Sequence, residues 1–258
     1  MERLGDTKPR GLHTGGLRTW GMLFLAAGIV SRGLLQNRIL GLTGMTGQQM
    51  LEVMSAADGS MAVATVALVL QALETCAVPI FACLLVEGFL HTGSWLRYLL
   101  RVAGAAALSE IPYNLAMGGK VLELSTRNPV FALVLGLFLL YFWQRYAEKT
   151  GANLLVKLCV TAAAVVWVGM LRIDHGIPVL VLVGVFWILR NKPLMRILAG
   201  SVAAMACSAV SPFYLLSAMG LLPVHLYNGE PGEGNRVVNY LAYPVLLTAV
   251  WLIGMFAF

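Results

Sequence analysis

The string ALSEIPYNLA, residues 107–116, sets a glutamate, a proline and an asparagine at the end of a run that otherwise reads as lipid-facing helix. Glu110 and Asn114 are four residues apart, so a helix places them on one face. Such groups can hold protons or grip a polar substrate, and at membrane depth an ionisable group costs several kcal/mol unless it is paired or hydrated. The exception recurs at few other places. Arg32, Glu74, Glu87, Arg97, Arg101, Arg172, Asp174 and His175 also lie within or at the edges of apolar runs, with Tyr113, Asn128 and Asn239 as neutral companions. Cys76, Cys83, Cys159 and Cys207 show no metal-ligand spacing and read as small buried hydrophobes, so no metal site is expected.

The elements that must position these groups are transmembrane helices. The chain is 59% hydrophobic and 12% charged over 258 residues, which lies outside the range of ordinary soluble domains. Several apolar runs reach the roughly 20 residues that a helix needs to cross about 30 Å of hydrocarbon. The expected fold is all-α, a polytopic transmembrane helix bundle with about eight spans near 19–40, 60–90, 94–117, 128–147, 153–171, 175–190, 194–216 and 236–257. Pro79 implies a kink in the second, and residues 213–227 suggest a short interfacial piece. Residues 1–18 read as a flexible cytoplasmic tail, and 19–258 as one transmembrane domain. Twelve of the eighteen basic residues fall on the tail and the ends that this topology puts inside, which argues for both termini being cytoplasmic. The net charge of +6 then reflects topology and contact with the lipid bilayer, not nucleic acid.

On this topology Glu110, Asn114, Asn128, Arg172, Asp174, His175 and Arg32 all fall toward the outer leaflet, where they could converge on one polar cup. Glu110 would need a cationic partner such as Arg32 or Arg172. Each residue could instead be merely interfacial, with Asp174 capping the sixth helix. On the inner side, LLVEGFLHTGSWLRYLLR places Glu87 one turn from His91 and opens the third helix with Arg97 and Arg101. That cluster is either a salt-bridged hairpin or a basic mouth for the phosphates of a nucleotide-bearing cofactor. No glycine-rich phosphate loop accompanies it.

The strings VPIFACLLVEGFLHT, WLRYLLR, ALSEIPYNLA and NPVFALVLGLFLLY, followed by IDHGIPVLVLVGVFWILRNK and LYNGEPGEGNRVVNYLAYPVLL, together resemble the TraX family of integral membrane proteins over about residues 64–252. The resemblance implies acetyl transfer with acetyl-CoA as acyl donor, a peptide or pilin-like acceptor, and a bacterial inner (cytoplasmic) membrane. The matched positions are Glu87, Gly88, Glu110, Pro112, Asn114, Asn128, Asp174, Gly176, Asn228, Gly229, Tyr243 and Pro244. Ser31-Arg32-Gly33 stands where the family usually has Asp-His-Gly, Leu246 replaces a histidine, and Glu74-Thr75 replaces Gly-Arg. Histidine is the commonest proton carrier at neutral pH, so these departures leave His175 as the remaining candidate base.

Under this reading His175 is the base, and Glu110 and Asp174 orient it or balance its charge. Asn114, Asn128, Arg32, Arg172 and Tyr113 bind the acceptor, while Arg97, Arg101, Glu87 and His91 hold the carrier. Two other functions fit the same sequence. One is a non-catalytic relative that binds a peptide, lipid or partner protein, and the other is a small-solute transporter. The transporter lacks the two related halves that such proteins often show.

Overall fold

The computed structural model of the protein describes residues 11–42, 60–123, 125–230 and 236–257, with positions 45, 49, 52 and 232. Most of the predicted tail, residues 1–10, lies outside them. The described residues are helical, with no strand beyond two isolated bridges. Helix α1, Thr14–Val30, begins five residues before the expected span because the His13 imidazole accepts from Gly16 N at 2.8 Å and caps it. It widens into π-helical turns over Ser31–Ile39. Such widening is common where a helix must aim a functional side chain, and here it carries Arg32.

Helices α2, Ser60–Glu74, and α3, Ala77–Leu90, form the long second segment. Its break falls at Thr75-Cys76, one turn before Pro79, whose ring cannot sit against an intact preceding turn. The Thr75 hydroxyl donates to Ala72 O at 2.6 Å, and so satisfies a carbonyl that the break releases. Glu74 is therefore the last residue of α2, near the middle of a 31-residue apolar stretch and 2% exposed. Helix α4, Trp95–Gly118, starts on Ser94 and stops on left-handed Gly119. Then follow α5, Val130–Arg145, α6, Gly151–Leu171, and α7, Gly176–Ile188.

Helices α3 and α7 are apolar on nearly every face and form the centre, as an all-round hydrophobic helix must. Close approach around them uses missing side chains: a Cβ on Gly136 of α5 would meet Leu85 and lie against Val183. Helix α6 lies at the periphery, mostly exposed to what surrounds the bundle, and its Thr161 hydroxyl accepts from Trp143 Nε1 of α5 at 3.2 Å.

The seventh expected span, 194–216, is not one continuous helix. Helix α8, Pro193–Ala206, has 14 residues and is only about 21 Å long at 1.5 Å per residue. Short 3₁₀ turns at Cys207–Ala209 and Pro212–Gly220 then reverse the chain, and α9, Leu221–His225, carries it back toward the start of α1. Gly200 of α8 lies against Leu221, and Leu12 N donates to Leu226 O at 2.7 Å. The consequence is a changed direction for α10, Arg236–Phe256. Thr14, Arg18, Asn239 and Tyr240 line one cavity, whereas Val250 meets Gly33 and Arg38 meets Gly254. Helices α1 and α10 therefore run the same way, and the two ends of the described chain lie at opposite ends of the bundle. Three helical segments are long and apolar enough to cross a membrane among the described residues: Ser60–Leu90, Gly151–Leu171 and Val238–Phe256. This is an all-helical architecture of membrane character, in which these three segments are candidate membrane spans by length and composition.

Candidate functional site

Five charged or ionisable side chains from distant segments meet at the heart of the bundle. The Arg32 guanidinium forks between Glu74 Oε1 and Asp174 Oδ2, each at 2.5 Å. The Tyr113 hydroxyl of α4 donates to the same Asp174 oxygen at 3.0 Å. His175 completes the group. Its Nε2 lies 3.6 Å from Glu74 and 3.7 Å from Asp174, and its Nδ1 meets the Tyr214 hydroxyl. Two carboxylates and one guanidinium sum to one negative charge, so a proton on His175 makes the cluster neutral. Buried charges persist only when so balanced and hydrogen-bonded. Nε2 is buried without a hydrogen-bond partner, which leaves a polar atom directed at the two acids and available to a further group.

Local structure explains how the cluster is held. The α2–α3 break turns the Glu74 carboxyl toward α1, where Gly28 leaves room for it: a methyl there would overlap the carboxyl. Gly28→Ala should therefore destabilise the protein by about 1–3 kcal/mol, the usual cost of overpacking. Thermal unfolding in detergent checks this, with Gly104→Ala, inside α4 and meeting nothing within 4 Å, as the control expected to be as stable as wild type or up to about 1 kcal/mol more stable. On the other side, Asp174 and His175 occupy the turn between α6 and α7. Arg172 has φ 52° and His175 φ 55°, two left-handed residues without glycine's freedom. Strain of that kind costs on the order of 1–3 kcal/mol per residue and concentrates at functional sites.

A cavity of about 890 Å³ leads to this cluster. Glu74, His175 and Tyr243 line its deep part, and Leu25, Leu133 and Val179 its apolar middle. Its mouth lies at the α3–α4 turn, where Arg97 and Arg101 are exposed and Arg18 and Tyr98 face them from inside. Glu87 does not neutralise this mouth, because Arg196 of α8 holds it at 2.8 Å. No carboxylate pairs with Arg18, Arg97 or Arg101 among the described residues. A wide apolar channel with cations at one end and titratable groups at the other suits an elongated anionic ligand.

The family model described as TraX protein matches residues 38–254, most of the chain. The chain belongs to the TraX family. No curated protein and no solved structure matches it. The Ser31-Arg32-Gly33 departure precedes the matched TraX residues, whereas Glu74, Asp174, His175 and Leu246 fall inside them.

The expected polar residues of this TraX chain divide into two sets. Asp174, His175, Arg32 and Tyr113 meet at the cluster, and Glu87, His91, Arg97 and Arg101 gather at the cavity mouth. Glu110 and Asn128 form a separate network, and Asn114 is bonded apart from both. Glu110 pairs with neither Arg32 nor Arg172: its partner is Arg127 at 2.8 Å, and its second oxygen accepts from Asn128 Nδ2 at 2.8 Å. Asn114 Nδ2 donates to Val121 O at 3.3 Å. None of the three lines the cavity. Arg172 contributes its carbonyl to Arg127 N at 3.0 Å. The polar cup is thus replaced by a site reached from the end that holds Thr14, because Arg32 is already satisfied by two acids and the reversal of α8 brings Tyr214 onto His175. Sequence reasoning gave Glu74 no role and passed over Tyr214, Arg18 and Tyr98. For Glu74 the signal was present, as an acid in the middle of a 31-residue apolar run.

Proposed function

We propose that this TraX-family protein is a membrane acyltransferase that takes acetyl from acetyl-CoA and passes it to a protein amino terminus or a small envelope acceptor. It would do so in a bacterial inner membrane with the cavity mouth facing the cytoplasm. The observation that supports this most is the single cavity that joins an unneutralised arginine mouth to the His175–Glu74 pair. Arg18, Arg97 and Arg101 offer charge-assisted hydrogen bonds of the kind that phosphates accept. The apolar middle accommodates an extended arm. When bound, the donor supplies an activated acyl carbon at the deep end. There His175, neutral while the cluster carries one net negative charge, with Glu74 at 3.6 Å, takes the proton of the acceptor amine or hydroxyl as its nitrogen or oxygen bonds the acyl carbon. It passes that proton to the CoA sulfur as the acyl carbon–sulfur bond breaks, and Asp174 and Glu74 together with Arg32 balance the imidazolium in between. Tyr243, which lines the cavity, would donate toward negative charge developing on the acyl oxygen.

Transfer of label from radiolabelled acetyl-CoA to the protein or to a peptide acceptor, measured with purified protein in detergent, tests the reading. Absence of labelling above background rejects it. The mouth makes its own prediction. Arg18→Gln should raise the dissociation constant for CoA about tenfold, as loss of one charge-assisted contact of about 1.5 kcal/mol implies. Equilibrium binding checks it, and unchanged affinity would remove Arg18 from the site.

A second reading draws on the departures at Arg32 and Leu246. A permanently charged guanidinium holding both acids favours a relative that binds the carrier or a peptide without turnover. Tight CoA binding with no transfer to any acceptor would select it.

A further inference from the structure

The turn that carries Asp174 and His175 has Arg172 and His175 in left-handed conformations at its two ends, with local bonds from Ile173 N to Val168 O at 3.1 Å and from Gly176 N to Ile173 O at 3.2 Å. A further restraint comes from outside. Arg127, in the segment between α4 and α5, lies alongside Ile173 as an isolated parallel bridge. Its N–H donates to Arg172 O at 3.0 Å, and its carbonyl accepts from Asp174 N at 2.9 Å. The two bonds span the turn between the strained positions. Arg127 is itself clamped through its side chain, since its guanidinium meets Glu110 Oε1 at 2.8 Å. Asn128 extends the clamp: its backbone N–H and side-chain amide both reach Glu110 Oε2, its amide also reaches Ala106 O at 2.9 Å, and its Oδ1 accepts from Val130 N at the start of α5. Asn128 is fully buried and the Glu110 side chain is 14% exposed, and their shared bonds restrain the clamp.

We propose that Arg127 is a positioning residue, strapped to the 172–174 backbone and fixed by Glu110, that sets the conformation in which His175 faces Glu74. Only the kinetic part of its test rests on the acyl-transfer reading. This assigns the acid in ALSEIPYNLA a function at a distance: Glu110 touches neither the cavity nor His175, yet it governs where the imidazole stands. A single residue holding both sides of a turn is an economical restraint, because each backbone bond fixes the geometry of the other.

Backbone hydrogen exchange and transfer kinetics of the purified full chain, comparing wild type, Arg127→Gln and Arg127→Lys, decide the proposal. Arg127→Gln should raise exchange at residues 172–176 at least tenfold while α3 and α7 keep theirs. It should also lower kcat about tenfold with the KM for acetyl-CoA within twofold of wild type. Arg127→Lys, which retains the charge toward Glu110, should recover at least half of both. Unchanged exchange at 172–176, or a rise spread equally through the bundle, overturns the proposal. So does a loss carried entirely by KM. If the wild type transfers no acetyl, the functional reading fails and the exchange pattern still decides the positioning role. Should Arg127→Gln not purify, Glu110→Gln removes the same clamp and is read by the same exchange criterion.

Discussion

Arg32→Gln is expected to lower unfolding stability by about 3–5 kcal/mol, the cost of removing one partner from a buried ion pair. Glu74 and Asp174 would then share a site with no counter-charge except a protonated His175, and Glu74 lies too deep for water to replace the guanidinium. Glu74 is 2% exposed, whereas the Arg32 and Asp174 side chains are 20% and 21% exposed, so solvent screening reduces this cost in part. Thermal or chemical unfolding in detergent measures it. The neutral combination Arg32→Gln, Glu74→Gln and Asp174→Asn should recover much of the loss, because the penalty arises from unpaired charge and not from missing volume. A single variant that melts with wild type would show that these charges do not support one another.

His175→Ala is expected to reduce acetyl transfer about 10²–10⁴-fold, the usual contribution of a positioned general base. Binding of CoA should stay within twofold, since Arg18, Arg97 and Arg101 lie at the opposite end of the cavity from the imidazole. The two effects are separated by titrating CoA and then measuring initial rates at saturating donor. His175→Ala also releases the Tyr214 hydroxyl, so Tyr214→Phe is the companion variant. A pure orienting role for Tyr214 predicts a loss of about tenfold or less, smaller than that of His175→Ala. Full activity in His175→Ala would move the proton to Glu74 alone.

The sequence could be read most directly where one property decides the structure. Apolar runs with few charges must bury or face lipid, so the helical membrane character was visible without coordinates, and Pro79 announced the broken second segment. That Glu87, His91, Arg97 and Arg101 lie together at the α3–α4 turn was also visible, because a short turn between two helices leaves little choice of neighbours. By contrast, 194–216 looked like one continuous helix on composition, and only the structure showed the break at Cys207–Ala209. Its first helix has 14 residues, a limit that hydropathy over a wider window hides.

Partner choice among buried charges was the other hidden quantity. Glu110 had three arginines within plausible reach along the chain: Arg32, Arg127 and Arg172. Local hydropathy could not rank them, because an ion pair depends on where helices cross. By itself the sequence determined that polar groups embedded in apolar helices must find partners, since the bilayer offers them none. Tertiary structure alone decided which partners they found: Arg32 between Glu74 and Asp174, Arg127 with Glu110, and His175 against Tyr214. The reason is that burial demands satisfaction of each charge but leaves direction free, and direction is set by the packing of segments far apart in the chain.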